Sequence, residues 1–199
     1  MRKKNRSLFL LLLFLFMILT QYRFFQSIDE NIVLAVEKLR EERFDFFMYN
    51  MTKIGSFNIT FLLTVIFFIF FVMKGKKREG FFLFINFWGV RFLNQFLKQL
   101  FLRERPNFHP LIEVGEYSFP SGHTMNSTAI YGLIAYFFVQ HQYANKKWVI
   151  FLFSVLIFLI GFSRVYLGVH YVSDVLAGFL AGSFWLLFII TILEKVRQK

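Results

Sequence analysis

The stretch FNITFLLTVIFFIFFVM, residues 57–73, runs for 17 residues without a charge. A bilayer's hydrocarbon core is about 30 Å thick and takes about 20 mostly apolar residues of helix to cross. Such runs recur along the whole chain of 199 residues, 57% of which are hydrophobic. Backbone polar groups in lipid must be satisfied internally, so the runs have to be helices. The sequence therefore predicts an all-α, polytopic membrane protein. Six spans are expected, at about 7–25, 55–73, 80–102, 121–140, 148–164 and 170–192, in a single domain over residues 1–199. The basic, apolar N-terminus has the look of a signal peptide, but QYRFFQS follows with no small-x-small site. It is read as an uncleaved first span.

Charge gives the orientation. RKKNR before the first span, KGKKR after the second, KK after the fourth and EKVRQK at the end hold 13 of the 23 Lys and Arg. All four segments fall on one side of a six-span chain, where Glu79 and Glu194 are the only acids, so this side carries the entire net charge of +11. Basic short loops stay in the cytoplasm, which places both termini there. The high charge is thus a topology signal and a contact with anionic headgroups, not a nucleic-acid footprint. The chain has no cysteine, which removes disulfides and thiolate chemistry.

The longest outer segment, SIDENIVLAVEKLREERFDFF (27–47), alternates charges with Ile32, Val36, Leu39 and Phe46 at helical spacing. Ser27 and Glu30 form a capping-box pattern. Two placements fit it equally: an amphipathic helix on the outer membrane surface, or a helix packed over the end of the bundle.

The polar residues that interrupt the spans converge on that same outer face. Lys98 and Arg105 lie at and beyond the end of span three; Ser121, Gly122 and His123 open span four; Arg164 closes span five; His170 and Asp174 open span six. Ionisable residues in spans are functional candidates by default. His170 and Asp174, four apart, are expected on one helical face, where the carboxylate can hold one ring nitrogen protonated and leave the other free to attack. Ser121 suits an N-cap, and the first-turn N–H groups below it suit an anion. Taken singly, each has an ordinary explanation, such as a snorkelling lysine or a capped helix. Together, three cations, a helix N-terminus and two histidines suit phosphoryl transfer.

The spacings are specific. KQLFLRERP reads Lys-x6-Arg-Pro, followed by PSGH and then by SRVYLGVHYVSD, or Ser-Arg-x5-His-x3-Asp. In this order they resemble the three signature motifs of the type-2 phosphatidic acid phosphatase superfamily, and SFPSGHTMNS is similar to its bacterial phosphatidylglycerophosphatase group. The resemblance implies hydrolysis of a lipid phosphate, phosphatidylglycerophosphate, phosphatidate or a relative, with undecaprenyl pyrophosphate the alternative. Enzymes dedicated to the last often carry Asp where this chain has Gly122. The resemblance further implies His170 as nucleophile, forming a phosphohistidine; Asp174 as its orienting carboxylate; and His123 as acid to the leaving group, then base to water. Lys98, Arg105, Ser121, Gly122 and Arg164 would hold the phosphoryl group. No cofactor and no metal are implied, in keeping with the lack of metal-ligand spacing. The partners expected are the lipid substrate and the bilayer.

A phosphate-recognising transporter or binding protein is the competing reading; it needs the cations but not a His–Asp pair beside a second histidine. Arg91, Asn94 and Lys98 form a stripe along span three, expected to be an internal network supporting Lys98. Ala177, Gly178, Ala181 and Gly182 are expected to allow close helix packing. His109 and His141 match no motif and are expected to face solvent.

Overall fold

Apolar side chains at a helical period, broken at short polar turns, produce seven helices over residues 23–198, the part of the chain described by the structure, a computed structural model. They are α1 (Arg23–Glu37), α2 (Glu42–Ile54), α3 (Phe57–Met73), α4 (Lys77–Phe101), α5 (Gly122–Gln140), α6 (Lys146–Tyr166) and α7 (Val172–Arg197). There is no β-strand among the described residues. By length and composition α6 and α7 can each cross a membrane, and α2 with α3, bent by 48° between them, makes a third candidate. Most of the expected span 7–25 lies outside the described residues.

Helices α4 and α5 carry many of the internal polar groups. Asn86 and Asn94 on α4, and Asn126, Ser127 and Thr128 on α5, are all buried. Helix α5 is central, packing most extensively on α7 and α6 and also on α4. In the main core, Phe71, Leu83, Phe87, Leu133, Ile134, Phe137 and Ile160 have no solvent access. Between α5 and α7, small residues let backbones meet. A Cβ at Gly178 would lie 2.9 Å from Ser121 O, and one at Gly182 would lie 2.6 Å from Met125 O. The expected ridge is therefore the α5–α7 seam, and α5 and α7 carry PSGH and Asp174.

The segment expected as one helix over 27–47 is instead two, and Ser27 falls inside α1 instead of capping it. The break has a cause. Leu39 N and Arg40 N turn back onto Val36 O and Glu37 O, and Arg40 is anchored by donating to Tyr166 O at 3.2 Å and His109 O at 2.8 Å. Helix α1 packs over the bundle end, with Val33 buried against Val165 and Val175. His109 is exposed, beside Glu37 at 3.0 Å. His141 does not face solvent as expected: it is largely covered, 3.2 Å from Glu79, which also pairs with Arg197 at 2.7 Å.

Candidate active site

Asp174, in the first turn of α7, is fully buried, and a buried carboxylate needs partners. Oδ1 accepts from Arg103 Nη1 at 2.8 Å. Oδ2 accepts from Tyr171 N at 2.9 Å and faces His170 Nδ1 at 3.3 Å. His170 is not on the helix, as its spacing suggested, but two residues before it. The loop supplies the approach: Val169 N and His170 N both donate to Arg164 O at 3.2 Å, and Gly168 makes the turn at φ +73°.

On its other side, His170 Nε2 is 3.1 Å from Arg105 Nη1. A guanidinium can only donate, so Nε2 is the acceptor and the ring proton sits on Nδ1, toward Asp174. This tautomer presents the lone pair of Nε2 to the cation cluster. Arg105 is fixed by donating to Val169 O at 2.6 Å and to Gly115 O. Desolvation lowers its pKa from the ordinary arginine value, with the negative charge of Asp174 opposing the shift. Beside Arg105 and Val169 a cavity of about 510 Å³ opens.

Lys98, at the end of α4, donates to Tyr117 O. Arg164 is buried; its Nη1 donates to Thr52 on α2 at 2.5 Å, and its buried Nε has no partner among the described residues. Arg105, Arg164 and Lys98 all act electrostatically on His170. Ser121 is the residue before α5, but its side chain makes no cap bond; its Oγ accepts from Thr124 at 2.9 Å, and its N–H ties the turn to Asp174 O at 3.0 Å. Gly122 follows, so close to α4 that a Cβ there would lie 2.9 Å from Asn94 Oδ1. His123 lies on the first turn of α5, over Gly55 at the α2–α3 bend, within the fields of Arg164, His170, Arg91 and Arg105. The eight expected residues are thus brought to one place.

Sequence reasoning missed the second layer. Arg103 also donates to Ser173 Oγ at 2.7 Å and to Asp29 Oδ2 on α1 at 2.9 Å, with its guanidinium carbon 4.3 Å from the Tyr171 ring centroid. Asp29 accepts from Ser173 N at 3.0 Å. Nothing in the pattern of 27–47 separates Asp29 from its solvated neighbours. The Arg91 stripe also differs from expectation: it does not run on to Lys98. Arg91 donates to Thr60 at 3.0 Å and lies over Phe57 and Phe87, while Asn94 donates to Pro120 O at 3.2 Å.

An all-helical membrane protein that gathers a carboxylate-paired histidine, a second histidine and three cations has the inventory that phosphoryl transfer uses. Comparison with known proteins agrees. The PAP2 superfamily matches residues 79–198. The chain is 37% identical to phosphatidylglycerophosphatase B of Bacillus subtilis over 87% of each chain. It is 30% identical to an undecaprenyl-diphosphatase of Sulfolobus acidocaldarius over 93% of this chain and 90% of that one. The crystal structure of the transmembrane PAP2-type phosphatidylglycerolphosphate phosphatase from Bacillus subtilis superposes with a TM-score of 0.91, at 34% identity, over 96% of both chains. The chain belongs to the PAP2 superfamily, and with it to the enzymes that hydrolyse lipid phosphates.

Proposed function

We propose that the protein removes a terminal phosphate from a glycerophospholipid at the extracytoplasmic face of the membrane, in two steps and without a metal ion. His170 Nε2 attacks phosphorus; the bond from phosphorus to the lipid oxygen breaks, and His123 gives that oxygen its proton. Water then attacks the phosphohistidine, surrenders a proton to His123, and the P–N bond breaks to release phosphate. Lys98, Arg105, Arg164, the Ser121 hydroxyl and the Gly122 N–H hold the phosphoryl oxygens, a charge supply that takes the place of a metal. The observation that carries this reading is the placement of His170, with Nδ1 3.3 Å from Asp174 Oδ2 and Nε2 3.1 Å from Arg105 Nη1.

In this reading six spans cross the bilayer, both termini are cytoplasmic, and α1 lies at the outer surface over the site. The basic segments support that orientation. Phosphatidylglycerophosphate, supported by the Bacillus relative, and phosphatidate are the leading substrates. Undecaprenyl pyrophosphate is a second reading, supported by the Sulfolobus relative. The test is phosphate release in EDTA by the detergent-purified protein from all three lipids, beside His170→Ala. Release that persists in EDTA and vanishes in the variant is expected. Release that stops in EDTA, or that survives loss of His170, overturns the mechanism. No release by folded protein leaves the binding reading.

A further inference from the structure

Each of the three cations of the site is held by an acceptor. For two of them that acceptor is backbone: Lys98 donates to Tyr117 O, and Arg105 donates to Val169 O and Gly115 O. Arg164 differs. Its Nη1 donates at 2.5 Å to a side chain, the hydroxyl of Thr52 on α2. A backbone carbonyl is present whatever residue stands there, whereas this contact depends on a side-chain oxygen at position 52. Thr52 belongs to none of the three motifs, and it precedes residues 79–198, over which the PAP2 superfamily matches.

This hydroxyl is not spent on its own helix. Thr60, Thr64, Thr128 and Thr191 each donate to the carbonyl four residues back, the ordinary bond of a helical threonine. Thr52 makes no such bond among the described residues and accepts from Arg164 instead. Both partners are buried, and Arg164 has no ion pair among the described residues. A buried guanidinium without a carboxylate depends on its hydrogen bonds.

The end of α2 is itself fixed. Tyr131 on α5 donates to Ile54 O at 2.7 Å. At Gly55 a Cβ would lie 2.5 Å from Ile160 Cγ2 on α6 and 3.2 Å from His123 Cδ2. One helix end therefore meets the arginine through Thr52 and the second histidine through Gly55. Arg164 in turn acts electrostatically on both His170 and His123.

We propose that Thr52 is a positioning residue for phosphoryl transfer: by accepting from Nη1, its hydroxyl oxygen sets the plane of the Arg164 guanidinium and directs that charge to the phosphoryl oxygens. The inference rests on the phosphatase reading, in which Arg164 holds one of those oxygens. A planar fork is useful only at the right angle, and an arginine side chain has many rotamers. Thr52 removes that freedom before the substrate arrives.

The test uses the full chain in detergent and whichever of the three lipids the unmodified protein hydrolyses fastest. Thr52→Val keeps the shape and removes the acceptor. A hydrogen bond to a charged group is worth about tenfold or more, so kcat/KM is expected to fall by about that factor, and Thr52→Ser should recover most of it. In an Arg164→Ala background, assayed at raised protein concentration, Thr52→Val should cost little further, because the group it positions is gone. If Thr52→Val does not fold, Thr52→Cys, whose thiol is a weak acceptor, carries the same comparison. Unchanged kcat/KM in the folded variant, a loss that Ser does not recover, or the same loss with and without Arg164 overturns the positioning role and leaves the phosphatase reading standing. Release from none of the lipids by the unmodified protein overturns both.

Discussion

Arg103 grips the oxygen of Asp174 that His170 does not use: its Nη1 lies 2.8 Å from Oδ1, while His170 faces Oδ2. The carboxylate is thereby fixed from both sides, and Arg103 is itself held by Asp29 of α1, with all of these charges buried. Helix α1 thus reaches His170 through Arg103 and Asp174.

Removing Arg103 leaves two buried carboxylates without their cation. Arg103→Ala should cost about 3–5 kcal/mol of stability, the penalty for breaking a buried pair. Misplacing His170 by about an ångström should also lower kcat by up to about 100-fold, with KM changing less. Asp29→Asn, which keeps an acceptor for Ser173, should show the smaller effect on both. Thermal unfolding in detergent together with steady-state kinetics checks the pair; kcat unchanged in a folded Arg103→Ala protein contradicts the positioning role.

If His123 serves the second step, its loss should expose the first. With a substrate whose leaving group needs no proton, such as an aryl phosphate, His123→Ala should accumulate phosphohistidine. Acid-labile, base-stable radiolabel on the protein is the readout, and His170→Ala should show none. Label that persists in His170→Ala would assign the nucleophile elsewhere.

Gly122 has no room for a side chain: a Cβ would stand 2.9 Å from Asn94 Oδ1. Gly122→Ala should push Asn94 off Pro120 O and disturb the N–H groups of the turn proposed to hold the phosphoryl oxygens, lowering kcat/KM by about tenfold, the worth of one strong hydrogen bond. The obstacle is a side chain, so Gly122→Ala with Asn94→Ser should recover part of the loss. An additive double variant would show that the two positions do not interact.

The motif residues were legible in the sequence because short motifs fix local geometry: PSGH opens α5, and the His170–Asp174 spacing survives even though His170 stands off the helix. The helix–helix seam at Gly178 and Gly182 was legible because small residues at a helical period serve close approach. Arg103 and Asp29 were not, since their pairing joins residues 74 apart through the docking of α1. The break at residues 38–41 was hidden for a related reason. Arg40 is held by Tyr166 O and His109 O, contacts that exist only once α6 and the 106–114 loop are in place. His141 was misread because its neighbours Glu79 and Arg197 are 118 residues apart along the chain and meet only in the folded bundle.

The α5–α7 seam makes the last prediction. At Gly182 the nearest atom to an added Cβ is the backbone oxygen of Met125 at 2.6 Å, and at Gly178 it is Ser121 O at 2.9 Å. Backbone of a central helix cannot step aside as a flexible side chain can, so α7 itself must move. Gly182→Ala should cost about 1–3 kcal/mol, as overpacking does in other close-packed interiors, with Gly178→Ala nearer the lower end. Gly115, with nothing within 4 Å, provides the control, and Gly115→Ala should leave the melting temperature unchanged. Because α5 carries His123 and α7 carries Asp174, the seam variants should lose activity at temperatures below their unfolding transitions. Full activity up to the melting point in Gly182→Ala would mean that the seam stabilises the bundle without holding the two halves of the site in register.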